Sequence, residues 1–240
     1  MTNNEATEWH REVISDATQA VLRSLRDAKV LDRFYLAGGT GLALRFGHRL
    51  SRALDFFAPN LFDESSLLPQ VDRLFGFSLV AKEPLHAVIQ ETKVSFLGYP
   101  YPMLFPSAQF LQVAIADSRD IACMKISAIA SRGMKRDFLD LYASAQQFGL
   151  GNLLQFFERK YAQTRYNRLH ILKSLTFFED AEKDPMPHML IPIDWEQVKE
   201  FLSGKHLDSC RCRNSPCSQL CEAFLQSCQD QRISNSNVQP

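Results

Sequence analysis

The stretch AGGTGLALRFGHRLSRALDFF, residues 37–57, decides how this chain is read. A Gly-Gly-Thr turn opens it, and a short strand carrying one carboxylate closes it. Gly38 and Gly39 follow a strand-like RFYLA and precede a helical GLALRFG. Without a Cβ they allow close backbone approach by a phosphate, and the amides that start the next helix favour its charge. Thr40 adds a hydroxyl and is placed to cap that helix, which Gly47 ends. A purely structural tight turn accounts for the same three residues. Neither a Gly-x-Gly-x-x-Gly pattern nor a Walker sequence is present.

The strand ALDFFA, residues 53–58, adds the carboxylate. Alternation puts Leu54 and Phe56 on one face and Ala53, Asp55 and Phe57 on the other. An unpaired carboxylate among apolar neighbours is expensive. Asp55 is therefore expected to have a cation, a base or several amides beside it. Arg45, Arg49 and Arg52 are at hand in sequence, and a structural Asp–Arg contact is the plain alternative to a metal.

Working outward, residues 8–30 carry apolar positions at threes and fours and predict a helix. DESSLLPQVDRLFG predicts another, with Asp63 as cap and Gly76 as stop. FSLVAK, LHAVIQ and TKVSFLGY predict an antiparallel meander. YPYPMLFP is a rigid bend, because its prolines deny ladder hydrogen bonds. Further on, SRDIACMKISAIASRG and KRDFLDLYASAQQFG predict two helices, each ending on glycine. Shorter helices are expected over 151–162, 165–178 and 194–203, with EKDPMPHMLIPID as a proline-paced connector. A compact mixed sheet followed by helices predicts an α+β architecture. The expected division is a sheet domain over 1–115, a helical domain over 116–204 and a polar, Cys-rich, partly disordered tail over 205–240.

Composition bounds the function. The 240 residues carry no net charge, which speaks against a protein that coats nucleic acid but leaves room for a local basic cleft. RKYAQTRYNRLHILK, residues 159–173, offers such a basic stretch, readable as a solvated face or a phosphate-facing one. With 18 Phe, an aromatic-rich core is expected. No apolar run approaches the roughly 20 residues of a membrane span. The opening MTNNEATEWHREVISDA is polar and mixed in charge, unlike a signal peptide, so cytoplasmic residence is expected. Cys123 lies in an apolar helical run and reads as a buried small residue. The other cysteines crowd the tail without a Cys-x-x-Cys pair, so zinc-ribbon spacing is missing. The six histidines are scattered and form no ligand set.

The helix pair over MKISAIASRGMKRDFLDLY is chemically richer. Lys125, Ala128 and Arg132 share one face at offsets of three and four. Asp137 and Asp140 lie one turn apart on the next helix. Two readings stand: surface helices with incidental salt bridges, or Lys125 and Arg132 on nucleotide phosphates with Asp137 or Asp140 fixing their direction.

YLAGGTGLALRFGHRLSRALDFF closely resembles the opening motifs of the abortive-infection nucleotidyltransferase toxins, AbiEii/AbiGii. KVSFLGYPYPML, DIACMKISAIASRGMKRDFLDLY and ILKSLTFFEDAEKDPMPHMLIPIDWEQVKEFL look like one bacterial branch of that family. The match covers roughly residues 15–203 and leaves the Cys-rich tail outside. The resemblance implies a polymerase-β-like nucleotidyltransferase fold, a mixed-sheet catalytic domain with a helical C-terminal domain. It implies a toxin of the type IV toxin–antitoxin or phage-defence kind, with a cognate antitoxin as partner. It also implies Mg²⁺-dependent transfer of a nucleotide from an NTP to RNA, transfer RNA included, or to protein.

By the same resemblance, Gly38, Gly39 and Thr40 match the motif that grips the phosphates. Asp55 matches the second carboxylate of the Asp-x-Asp pair and would hold metal. Lys125 matches the family lysine expected on the nucleotide. Asp137 and Asp140 match its paired acidic residues. The departure is at residue 53, where the first strand aspartate of the family is replaced by Ala53. Mg²⁺ takes near-octahedral oxygen coordination from one or two carboxylates plus substrate phosphates, and two ions would serve both the attacking and the leaving oxygen. Ala53 offers no oxygen. Ser95 occupies the expected slot of a third carboxylate, and Glu91 is a compensating candidate. The resemblance therefore also admits a catalytically degenerate member that binds nucleotide, RNA or protein.

Overall fold

The computed structural model describes residues 8–60, 62–74 and 76–204. The tail that holds five of the six cysteines lies outside them. The chain forms two compact units that divide inside one helix, between Ile121 and Ala122. His188–Ile191 belongs with the first unit.

The first unit opens with a 3-10 turn, Arg11–Val13, and helix α1, Asp16–Asp27. Ser15 stops the expected longer helix from running through: its hydroxyl accepts from Thr18 N at 3.1 Å and caps α1. Strand β1 (Tyr35–Leu36), helix α2 (Gly38–Phe46) and strand β2 (Ala53–Ala58) follow. Helix α3 (Glu64–Val71) is capped by Asp63 as expected, and Pro69 sits inside it. It ends at Asp72, short of the predicted stop. Strands β3 (Phe77–Ala81), β4 (Leu85–Ile89) and β5 (Thr92–Gly98) form the expected meander.

A hairpin of β6 (Ala108–Phe110) and β7 (Val113–Ile115) completes the sheet and was not foreseen. Its turn residues Leu111 and Gln112 both have positive φ, 49° and 62°. Hairpin turns of this kind favour Asn and Gly, so this pair carries no turn signal. Strand order is β3-β4-β5-β2-β1-β7-β6. β2 with β5 and β1 with β7 run parallel, and the other pairs are antiparallel, so the sheet is mixed.

One sheet face packs on α1 and α3. Leu54 and Phe56, Val94 and Phe96, Leu85 and Ile89 join Val21, Leu22, Leu25, Leu67 and Val71 in one buried core. Phe34 and Phe56 both pack on Phe96, with centroids 5.1 and 5.4 Å away. The alternate residues of β2, β4 and β5 are half-buried or exposed. That second face is therefore open, and it carries Asp55.

The connector EKDPMPHMLIPID does more than link helices. Met189 bridges to Arg49, Leu50 N donates to His188 O at 2.9 Å, and Leu190 N donates to His48 O at 2.9 Å. These bonds tie the chain between α2 and β2 to a segment far away in sequence.

The second unit is helical among its described residues. It contains most of α4 (Ser118–Arg132), then α5 (Lys135–Phe148), α6 (Leu150–Lys160), α7 (Arg168–Ser174), α8 (Glu179–Glu182) and α9 (Trp195–Leu202). Gly133 and Gly149 terminate α4 and α5 with φ of 53° and 78°, as glycine C-caps do. Phe138, Phe178 and Trp195 form a triangle of rings with centroids 5.1–6.0 Å apart. Cys123 is fully buried, as its apolar run implied.

Candidate functional site

The predicted site residues fall into two clusters, one in each unit. The first begins at the glycine turn, which is helical rather than a separate loop. Ala37 is the N-cap of α2, so Gly38, Gly39 and Thr40 make its first turn. Such residues leave backbone N–H groups without intrahelical acceptors, at the positive end of the helix dipole. Gly38 has φ of 64°, and a Cβ on it would lie 3.0 Å from Asp55 Oδ2. No other residue type combines that backbone with that proximity at so little cost. The turn and the strand carboxylate are thus fitted to each other.

Thr40 does not cap α2. It is buried, its hydroxyl bonds Ser51 Oγ at 2.7 Å, and it donates to Ala53 O. It clamps the helix start onto the first residue of β2. Ala37 N also donates to Asp55 O at 3.1 Å, so both glycines are fixed against β2 from either side.

The expected partner of Asp55 is missing. Among the described residues its carboxylate makes no hydrogen bond or ion pair. Arg49 Nη1 donates to Leu50 O at 3.1 Å, and the Arg45 guanidinium lies 5.2 Å from the Trp9 ring centroid. The cost argument assumed burial, whereas Asp55 is half-exposed on the open face and water can solvate it.

Register fixes the neighbours of Asp55. Across β5 its partner is Ser95, and Ser95 pairs in turn with His86 on β4. Ser95 Oγ and His86 Nδ1 are 2.9 Å apart. One step along, Ala53 pairs with Lys93, and Lys93 with Val88. Beyond Asp55 on the same face, Phe57 stacks with Tyr35 at 6.0 Å and meets Tyr99 edge-on at 5.5 Å. Glu91 is not brought to this group. It lies in the β4–β5 turn, four residues from Ser95, roughly 13 Å along an extended strand.

His86 and Lys93 were not singled out from sequence. The signal was there: the two-residue turn Gln90–Glu91 sets the β4–β5 register, and alternation then puts both on the face of Asp55.

The second cluster is a closed charge network. Lys125 Nζ lies 2.8 Å from Asp137 Oδ1 and 2.6 Å from Asp140 Oδ2. Arg132 Nε donates to Asp137 Oδ2 at 2.9 Å. Asp137 and Asp140 are fully buried and Lys125 is nearly so, which removes the surface-helix reading. Arg132 alone is exposed, with 52% of its side chain accessible. Burial pushes the Asp137 carboxyl upward, but Lys125 and Arg132 outweigh it and hold its pKa below the ordinary value. The i, i+3 spacing on α5 aims both carboxylates at one lysine.

Among the described residues no group of three or more His, Cys, Asp or Glu could hold a metal. Asp55 still suits one Mg²⁺: it is unpaired, half-exposed and beside a helix start, and such an ion accepts one carboxylate with phosphates and water. A second ion finds no side-chain oxygen at Ala53, whose carbonyl already accepts from Thr40.

A glycine turn, a strand carboxylate and a mixed sheet with helices build this site, and the comparisons give the family. The family model described as nucleotidyl transferase AbiEii toxin, Type IV TA system, matches residues 20–95 and 95–215. An uncharacterized protein of Aquifex aeolicus (strain VF5), aq_aa25, is 38% identical over 184 residues, covering 73% of this chain and 87% of its own. The chain belongs to the AbiEii nucleotidyltransferase toxin family. Solved structures similar to it include the nucleotidyltransferase toxin MenT4 of Mycobacterium tuberculosis H37Rv, at TM-score 0.49 and 16% identity, covering 90% of this chain and 93% of that one. JHP933 of Helicobacter pylori gives TM-score 0.36 and 19% identity, covering 93% and 97%. Among the described residues no helix is long and apolar enough to cross a membrane.

Proposed function

We propose that this chain transfers a nucleotide from an NTP to RNA, transfer RNA included, or to protein, as a toxin held in check by a cognate antitoxin in the bacterial cytoplasm. The observation that carries the reading is the unpaired Asp55 carboxylate against Gly38, where α2 begins. In the reaction an acceptor hydroxyl attacks the α-phosphorus. The new O–P bond forms as the bond to pyrophosphate breaks, and the hydroxyl proton passes to water. The amides of Gly38, Gly39 and Thr40 receive charge developing on the phosphates. Asp55 would hold the one Mg²⁺ the site can take, and that ion would supply electrostatic neutralisation of the triphosphate. Lys125 and Arg132 are the further expected nucleotide contacts, with Asp137 and Asp140 setting the direction of Lys125.

A second reading is favoured by one pair of residues. The first carboxylate position is Ala53, and its β5 partner is the cation Lys93. A face so depleted of acid suits a member that binds nucleotide, RNA or a partner protein without turnover.

The test is a transfer screen with all four labelled NTPs on total RNA and on lysate protein, run beside Ala53→Asp. Mg²⁺-dependent labelling by the native chain supports transfer. Labelling by Ala53→Asp alone supports the degenerate reading. No labelling by either, with the fold intact, contradicts both catalytic competence and its loss at residue 53.

A further inference from the structure

The open face of β2, β5 and β4 holds polar groups that the nucleotidyl-transfer reading does not use. Three observations concern them. First, register rows on this face read Ala53–Lys93–Val88 and Asp55–Ser95–His86. Lys93 is therefore the cross-strand partner of Ala53 and lies two residues from Ser95, and it sits diagonal to both Asp55 and His86. Diagonal neighbours on adjacent strands lie about 7–8 Å apart, within reach of a lysine side chain and close to the span of a polyphosphate.

Second, the groups are unspent. Lys93 is exposed, and among the described residues it makes no ion pair. His86 makes one side-chain hydrogen bond among those residues, through Nδ1 to Ser95 Oγ at 2.9 Å. That bond turns Nε2 away from Ser95. When Ser95 donates to Nδ1, Nε2 carries the proton and is a donor. Third, the face lacks the excess of acid that a metal-rich site would carry. Its register rows carry one acid, Asp55, and one cation, Lys93, so the face is balanced rather than acidic, whereas a two-metal face needs several acids and no lysine.

We infer that Lys93, Ser95 and His86 form an anion subsite that holds the polyphosphate chain of a nucleoside triphosphate without a divalent ion. Lys93 supplies the charge, and His86 Nε2 supplies a directed donor. Ser95 is a positioning residue that fixes the imidazole. The inference rests on the reading that this face takes nucleotide, and it adds what replaces the acids missing at residues 53 and 95. A Ser–His pair that merely stabilises the sheet would leave ligand binding unchanged on mutation.

Calorimetric titration of the full chain separates these cases. Inorganic tripolyphosphate and each NTP are titrated in EDTA and again in Mg²⁺, with Lys93→Ala, Lys93→Arg, His86→Ala and Ala53→Asp beside the native chain. Binding in EDTA is expected for both ligand kinds, weakened about tenfold by Lys93→Ala and several-fold by His86→Ala. Lys93→Arg retains it. Ala53→Asp weakens it in EDTA and makes binding depend on Mg²⁺. Melting temperatures identify any variant that is misfolded rather than impaired. Binding seen only with Mg²⁺, or unmoved by Lys93→Ala, overturns the inference while leaving nucleotidyl transfer standing. Absence of nucleotide binding in every condition overturns both.

Discussion

Two sets of charged groups in this molecule are treated in opposite ways. On α4 and α5, Lys125, Asp137 and Asp140 are buried, and each charge is met within 2.8 Å. On the open sheet face, Asp55 and Lys93 stand on neighbouring strands, solvated and unpaired among the described residues. Burial forces the first set to satisfy itself, because an unpaired charge there is prohibitively expensive. Exposure frees the second set to wait for a ligand. The contrast is set by burial: the first set is satisfied within the fold, and the second is left to solvent.

The largest expected effect breaks the closed network. Asp137→Ala leaves Lys125 buried against one carboxylate and removes the Arg132–Asp137 ion pair, and should cost about 3–5 kcal/mol by chemical denaturation. The network also has a pH signature. The Asp137 pKa is depressed in the folded chain, so its contribution is fully present above the unfolded value of about 4 and is lost as pH falls through the folded one. The stability gap between the native chain and Asp137→Asn should narrow on going below about pH 4, as read from denaturant midpoints. A gap constant from neutral pH to pH 2 would show the charge to be irrelevant.

Next comes the joint between turn and strand. Gly38→Ala places a Cβ at 3.0 Å from Asp55 Oδ2 with φ of 64°. It should lose about 1–2 kcal/mol of stability and a larger share of nucleotide binding, because it shifts the carboxylate. Equal binding by this variant would separate the glycine turn from the site. Thr40→Val removes a buried hydroxyl with two partners and should cost about 1–3 kcal/mol in thermal melting. The smallest effect is a control on α1, which packs on the sheet face opposite Asp55: Ser15→Ala uncaps α1 for about 1 kcal/mol, with no change in ligand affinity.

Much of this was legible in the sequence because local rules and tertiary structure agree. Strand β2 coincides with ALDFFA, and its alternation put Ala53 and Asp55 on one face before any coordinates. Gly47, Gly133 and Gly149 ended helices where a left-handed residue was needed. The offsets put Lys125 and Arg132 on one face and Asp137 and Asp140 one turn apart, but left open which would meet and that they would be buried. What escaped is long-range or lacks turn chemistry. Leu111–Gln112 makes a hairpin without a turn residue. The return of His188–Ile191 to Arg49 has no periodic signature. The openness of the Asp55 face depends on what does not cover it, which no local pattern records, so its carboxylate was wrongly expected to find a partner.

The most direct test of the central claim measures Mg²⁺-dependent label transfer from NTP by the native chain and by Asp55→Asn, each checked for an unchanged melting temperature. The account predicts transfer by the native chain and its loss in Asp55→Asn with the fold intact. Undiminished transfer by a folded Asp55→Asn chain would contradict it.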